Sequence, residues 1–190
     1  VWELVYRNRI QVWLPIEALE DVAPWPNISL IREPIKPIPP DDPRKLIPQD
    51  SSSEEGQLRT TEAVEVVSEG VSIMGAGAWH SGGFNGSGVK VALIDGGFKN
   101  YNTLLGTELP STVQINTQGN TTKFNSDEHG TACAEIIHDV APGASLYFVR
   151  AGTTVETGTA VDWCKAQGVK VISFSMGNHG GPHDSTGTAN

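Results

Sequence analysis

The feature that most constrains the fold is a short apolar run from Val89 to Ile94, in which Lys90 is the single polar residue. The run ends on Asp95, and two glycines follow it. A run of this length bounded by turn residues predicts a strand buried on both faces, as in a parallel sheet. Ligands and chemistry collect at the carboxyl ends of such strands, which is where Asp95 falls.

A second feature places His129 at the start of a predicted helix. The helix carries an apolar face made of Ala132, Cys133, Ile136, Ile137 and Val140. An aspartate at a strand end and a histidine at a helix start can meet above a parallel sheet. The carboxylate would then orient an imidazole that takes and returns a proton, as in two of the three members of a hydrolytic triad. Taken singly, an aspartate at a strand end is more often a turn residue, and a histidine at a helix start is more often an ordinary hydrogen-bonded polar group.

The order of elements around these two residues predicts the fold class. Strands and helices alternate with short links, which favours right-handed crossovers and an α/β fold with a doubly wound parallel sheet. Further strands are predicted over 112–116, 145–150 and 169–176, and helices over about 76–79, from 129 onward, and over about 155–167 with a glycine cap at Gly168. The stretch 117–128 is predicted to be a polar loop.

Four segments in this order resemble consecutive blocks of the subtilisin-like serine peptidases. They are Gly86–Gly97, His129–Thr131, Val140–Tyr147 and Val171–Gly177. The resemblance covers roughly residues 70–180 and implies an incomplete subtilisin-like fold that hydrolyses peptide bonds in proteins. It also implies that Asp95 orients His129 and that His129 is the general base and acid. The sequence differs from the usual family pattern at Gly96, the residue after the aspartate, where the family usually has serine or threonine.

The resemblance also implies where substrate would bind. Ala151 and Gly152 correspond to an edge on which a peptide substrate pairs as an added strand. Ser175, Met176 and Gly177 correspond to the pocket for the side chain before the scissile bond. An alternative is that both segments are simply turns at strand ends. The link that follows Gly152 is several residues shorter than in well-known members. The outer substrate-binding sites of the family therefore need not be present in the same form here.

The family's nucleophile is absent from this sequence. No Gly-Thr-Ser triplet occurs in it, and Ser173, Ser175 and Ser185 stand in other contexts. We therefore expect the N-terminal part of a peptidase, with the serine beyond it and negligible catalysis by the chain alone. We also expect the apolar strand 169–176 to pair with the remaining C-terminal half of the catalytic domain or with another copy. The alternative function is a catalytically inactive relative that serves as a binding or structural module.

Composition divides the chain into three parts. Nine of the 12 prolines lie at or before Pro48, whereas all 21 glycines lie at or after Gly56, so the two ends are built differently. Residues 1–35 are predicted to form strand 10–14, helix 16–22 and strand 27–32, a small α+β segment that resembles the C-terminal half of a subtilase propeptide. An unrelated N-terminal extension is the alternative. Residues 36–62 predict an exposed Pro/Ser-rich linker, and 63–190 the N-terminal part of the catalytic domain.

Charge and hydropathy exclude several partners. The net charge is −9 with no basic run, which argues against nucleic acid and anionic membranes. No apolar stretch approaches the roughly 18 residues of a membrane helix. The expected partner is a protein or peptide substrate, and the resemblance implies a secreted or extracytoplasmic protein.

No cofactor or metal site is predicted. His179 and His183 lie in a Gly-Gly-Pro loop without a third ligand, and Gly86 and Gly88 precede the strand that phosphate-binding glycines would have to follow. The family resemblance leaves calcium open, with no identifiable site. Two cysteines, Cys133 and Cys164, are too few for a disulfide scaffold. They are predicted to be buried thiols, and whether they are bonded is left open.

Overall fold

A computed structural model describes residues 3–33 and 67–177. The predicted linker over 36–62 lies outside the described residues, as do His179, His183 and Ser185. Both predicted domain boundaries also fall outside them.

The centre of the fold is a four-stranded sheet in which every pairing is parallel. Its strands, in the spatial order β4-β5-β3-β6, are β3 (Lys90–Asp95), β4 (Gln114–Asn116), β5 (Ser145–Arg150) and β6 (Val171–Ser173). The register pairs Asp95 with Arg150, so the carboxyl ends of the two central strands lie side by side.

The two central strands are buried on both faces, as the apolar run predicted. On one face, Leu93 and Phe148 belong to a cluster that includes Phe98, Phe124 and Ala134. On the other face, alternate residues of the same strands pack with helical residues into a second cluster, made of Ala92, Ile94, Tyr147, Val149, Ala151, Ala160 and Cys164. Period-two alternation places successive side chains on opposite faces, and here both sets are apolar.

Helices lie on both faces of this sheet, which gives the doubly wound α/β arrangement. Those of the main body are α2 (Glu69–Ile73), α3 (Ala76–Ser81), α4 (Thr121–Phe124), α5 (His129–Val140) and α6 (Thr154–Ala166). Gly168, with φ of 73°, follows α6 in the left-handed region, as predicted for a glycine cap. None of the helices in the described ranges has the length and apolar character needed to span a bilayer.

Some elements differ from the sequence prediction. The stretch predicted as a polar loop contains α4, whose N-cap Asn120 accepts a hydrogen bond from the Lys123 amide through its side chain. β6 and β4 are shorter than predicted, at three residues each. β6 pairs with β3 alone among the described strands, and it leaves Val171 and Ile172 50% and 40% exposed at the edge of the sheet.

The N-terminal segment is a hairpin followed by a short helix. Strands β1 (Glu3–Tyr6) and β2 (Arg9–Val12) are antiparallel, and the helix comprises a 3-10 turn (Ile16–Ala18) and α1 (Leu19–Val22).

The strand predictions for this segment were partly wrong. The single strand predicted over 10–14 is half of a hairpin that turns at Arg7, a residue with φ of 51°. The strand predicted over 27–32 does not form. Alternating apolar residues need a neighbouring strand to pair with, and no described strand lies beside Leu30, which is 72% exposed.

Candidate active site

Asp95 and His129 meet at the carboxyl edge of the parallel sheet. His129 Nδ1 lies 2.8 Å from Asp95 Oδ2, although 34 positions separate the two residues in the chain. The Asp95 side chain is 5% exposed and that of His129 is 27% exposed. A buried carboxylate therefore holds an imidazole whose outer side remains open to solvent.

The second oxygen of Asp95 is held by the turn that follows β3. Asp95 Oδ1 accepts a hydrogen bond of 2.7 Å from the Gly96 amide. Burial raises the pKa of the Asp95 carboxyl above its usual value, while the charge of His129, its hydrogen bond and the amides of Gly96 and Gly97 oppose that rise. His129 and the turn after β3 thus favour the ionised form of Asp95, against the effect of burial.

His129 is fixed by the first turn of α5. Its amide donates to Asp127 Oδ1 over 2.9 Å, which satisfies one of the free donors at the helix start. The next amide, of Gly130, donates to Gly97 O over 3.1 Å and ties the helix to the turn after Asp95. With Nδ1–H directed to Asp95, Nε2 carries the free lone pair and can accept a proton.

Gly130 allows the close approach of α5 to β3. A Cβ at this position would lie 2.5 Å from Gly97 O, 2.7 Å from Phe98 Cε1 and 2.8 Å from Asp95 Cβ. No side chain larger than hydrogen fits there without displacing backbone or core. The position of Gly130 directly after His129 predicts that a side chain there would crowd the substrate or the carboxylate, with flexibility of the helix start as the alternative, and the structure shows the clash with Asp95 and with the turn that follows it.

We expect Gly130→Ala to destabilise the fold by about 1–3 kcal/mol, the usual cost of overpacking. The helix should also move away from β3 and break the Asp95–His129 hydrogen bond. Urea unfolding of the 190-residue chain measures the first effect. The control is Gly77→Ala in α3, where a Cβ would meet nothing within 4 Å. Equal stability of the two variants would contradict this assignment.

Cys133 is a further residue at this site. Its Sγ lies 3.9 Å from His129 Nε2, one helical turn along α5. Burial raises the pKa of the Cys133 thiol, the charge of Asp95 raises it further, and a hydrogen bond with Ser175 opposes both. The apolar neighbours of Cys133 in the sequence predict a core thiol, although its four-residue spacing from His129 indicates a shared helix face.

Both cysteines are free thiols. Cys164 is fully buried in α6, as predicted, and burial raises its pKa to about 11. Cys133 is only half-buried and lies beside His129.

One group of potential metal ligands occurs in the parts of the chain that the structure describes. It consists of Asp95, His129 and Cys133, whose ligand atoms lie within 4.8 Å of one another. The group offers one carboxylate, one imidazole and one thiol. Calcium binds through six to eight oxygen atoms, so this group does not fit calcium.

The predicted substrate-binding residues lie at the same edge of the sheet. The Ala151 amide donates to Asp95 O over 2.7 Å, and the Gly152 amide donates to Glu156 Oε2 over 2.6 Å. Ser175 contacts the Cys133 thiol. Met176 Sδ would lie 3.9 Å from a methyl group on Gly96. Gly177 follows as an exposed residue.

Comparison with known proteins is consistent with this geometry. The model of the subtilase family matches residues 86–190. Subtilisin E of Bacillus subtilis (strain 168) is 31% identical over 148 residues, which covers 66% of this chain and 35% of the relative. Subtilisin NAT of Bacillus subtilis subsp. natto gives the same values. Subtilisin J of Geobacillus stearothermophilus is 30% identical over the same shares. The chain thus spans about a third of the length of these curated relatives.

Proposed function

The chain belongs to the subtilase family of serine peptidases, and on that premise we propose that it supplies Asp95 and His129 to a serine endopeptidase acting on proteins. The observation that carries the proposal is the 2.8 Å contact between Asp95 Oδ2 and His129 Nδ1. The contact uses Nδ1 and leaves Nε2, which among the described residues has only the Cys133 thiol 3.9 Å away, for a nucleophile that would approach the partly exposed ring.

Each side chain has a defined role in this proposal. His129 Nε2 takes the proton of a serine hydroxyl as the oxygen attacks the substrate carbonyl carbon, and it returns that proton to the leaving amine. Asp95 accepts a hydrogen bond from Nδ1–H in each step. It keeps Nε2 in the tautomer that accepts a proton, and it stabilises the imidazolium that forms.

The serine is proposed to lie outside these 190 residues, since the sequence contains no Gly-Thr-Ser triplet. The chain alone would then be inactive, because it lacks a group to attack the carbonyl. The rival proposal is an inactive relative that binds other molecules, and Gly96 is its one point of support. The ordered Asp95–His129 pair favours the peptidase, because a binding module does not need this arrangement.

We expect the full-length protein to react with a fluorophosphonate probe, which forms a covalent bond with an activated serine. The 190-residue chain, treated in parallel, should not be labelled. Mass spectrometry would measure both reactions. A full-length protein that folds and stays unlabelled would favour the inactive relative, and labelling of the 190-residue chain would contradict the proposed position of the serine.

Substrate would bind along the edge formed by Ala151 and Gly152, with its side chain before the scissile bond near Ser175, Met176 and Gly177. The placement of these residues beside Asp95 supports this proposal. The exposed edge of β6 would pair with a further strand, from the rest of the protein or from another copy. Export from the cytoplasm and calcium binding elsewhere in the protein remain proposals drawn from the family.

The chain is proposed to divide into three parts. Residues 1–35 would be the end of a propeptide, 36–62 a linker, and 63–190 part of the catalytic domain. The hairpin of β1 and β2 supports the first assignment, because it packs on α6 next to the proposed substrate edge.

A further inference from the structure

Cys133 lies at the candidate active site, but the proposed reaction does not use it. The residue is on α5, one turn after His129, and its Sγ is in hydrogen-bonding contact with His129 Nε2 over 3.9 Å. Burial and the charge of Asp95 raise the pKa of this thiol, which makes it a poor nucleophile at neutral pH. A thiol next to the imidazole therefore has a different use from attack on a substrate.

The spacing of the two side chains suits two ligands of one cation. Residues four apart on a helix lie on the same face, and helices present pairs of metal ligands with this spacing. Zinc binds sulfur at about 2.3 Å and imidazole nitrogen at about 2.0–2.1 Å. Together these bonds are longer than the 3.9 Å between Sγ and Nε2. A zinc ion thus fits between the two atoms with a bent S–Zn–N angle, as tetrahedral coordination requires.

Asp95 supplies the support that a zinc-bound histidine usually has. A histidine that binds zinc through one ring nitrogen commonly donates its other N–H to a carboxylate, which fixes the ring and makes it a stronger ligand. Here His129 Nδ1 lies 2.8 Å from Asp95 Oδ2, and the carboxylate side chain is 5% exposed. The ligand atoms of Asp95, His129 and Cys133 lie within 4.8 Å of one another. The negative charge of the carboxylate therefore favours a divalent cation at this place.

The donor atoms select among metal ions. Imidazole and thiolate suit zinc, whereas calcium and magnesium prefer oxygen ligands. The raised pKa of Cys133 does not prevent binding, because a coordinated divalent cation deprotonates the thiol. The His129 side chain is 27% exposed and Cys133 is half-buried. An ion can therefore enter from solvent, and water can fill its remaining coordination positions.

We propose that Cys133 Sγ and His129 Nε2 form a reversible binding site for zinc, in which Asp95 orients the imidazole. When the Zn–S bond forms, the thiol proton leaves to solvent, and the lone pair of Nε2 is taken up by the Zn–N bond. The bound ion therefore switches off the proton transfer assigned to His129. This regulatory consequence rests on the proposed function, whereas the metal site itself does not.

Cobalt and zinc titrations of the complete 190-residue chain, kept reduced, test the site. Co²⁺ can replace zinc in tetrahedral sites, and its bond to a thiolate gives a charge-transfer band in the near ultraviolet. We expect one equivalent of Co²⁺ to produce this band and Zn²⁺ to remove it by displacement. Cobalt bound by histidines alone, such as His179 and His183, would not give a thiolate band.

Cysteine variants assign the band to one thiol. Cys133→Ala should abolish it, and so should Cys133→Ser, which keeps the size of the side chain but removes the sulfur ligand. Cys164→Ala is the matched control and should keep the band, because Cys164 is fully buried in α6. Asp95→Asn should weaken zinc binding by about 10–100-fold, the usual effect of losing a carboxylate behind a histidine ligand. Circular dichroism would show that each variant folds.

The full-length protein tests the regulatory consequence. Zinc should lower the rate of fluorophosphonate labelling of the wild type by about tenfold or more, because the ion occupies the general base. Removal of zinc by a chelator should restore the rate. Cys133→Ala should keep its own labelling rate at the zinc concentration that inhibits the wild type.

The results that would overturn the proposal are distinct from those that concern the serine. Absence of the thiolate band in the folded wild-type chain, or its persistence in Cys133→Ala, would overturn the metal site. Wild-type labelling that zinc leaves unchanged would overturn the switch. A full-length protein that is not labelled even without zinc would contradict the proposed function instead, since the cobalt band does not involve the serine.

Discussion

Replacing His129 by alanine is expected to lower the kcat/KM of the full-length protein on a peptide substrate by about 10²–10⁴-fold, the usual contribution of a general acid–base group. Without the imidazole, the proposed nucleophile loses the group that would accept its proton, and the buried Asp95 carboxylate keeps only its hydrogen bonds with the turn after β3. The rate of fluorophosphonate labelling should fall in parallel, since the probe also needs an activated serine.

His138→Ala is the matched control for this variant. His138 lies on the same helix, nine residues after His129, and is half-buried. Activity of the control should stay close to that of the wild type, and circular dichroism should show that both variants fold. If His129→Ala kept wild-type kcat/KM, the proton-transfer role assigned to His129 would be wrong.

The position of the candidate site could be predicted because local patterns decide it. An apolar run predicts a buried parallel strand wherever it occurs, and the carboxyl end of that strand fixes the edge on which Asp95 lies. A helical pattern that starts at His129 fixes the end of the helix that carries the imidazole. Parallel strands and their crossover helices can bring such ends together, so the two patterns and the order of elements around them predicted Asp95 and His129 as a pair, although neither residue alone indicated it.

Some contacts could not be predicted, because they join residues that lie far apart in the chain and belong to no shared sequence motif. Tyr6 and Gly158 are separated by most of the chain, and nothing in either local sequence indicates the other. The hairpin was missed for a similar reason, because Arg7 adopts a positive φ that the sequence does not signal. Gly158 is a glycine within α6 that lies against the Tyr6 ring, and its role appears only when the hairpin is in place.

The largest effect on stability is expected for Glu156, which was also invisible in the sequence. Glu156 is 1% exposed, and its carboxylate pairs with the guanidinium of Arg150, a residue that is 8% exposed. Arg150 Nε is buried without a hydrogen-bond partner among the described residues. Loss of the carboxylate would leave a buried cation with no counter-charge, which is far more costly than loss of an exposed pair.

Glu156→Ala should therefore destabilise the chain by about 3–5 kcal/mol. This corresponds to a fall in Tm of about 6–20 °C for a chain of this size. Urea unfolding and thermal unfolding of the 190-residue chain measure the two quantities. The control is Asp162→Ala on the same helix, because the Asp162–Lys165 pair has side chains 57% and 67% exposed. The change for an exposed pair should stay below about 1 kcal/mol.

The double variant Arg150→Met/Glu156→Leu separates the cost of an unpaired charge from the cost of lost packing. Apolar residues of similar volume in place of a buried pair are often neutral or stabilising. The double variant should therefore recover most of the stability that Glu156→Ala loses. A double variant as unstable as the single one would mean that the hydrogen bond from the Gly152 amide to Glu156, and not the unpaired guanidinium, dominates the loss. The turn that carries Ala151 and Gly152 would then depend on that one carboxylate for its shape.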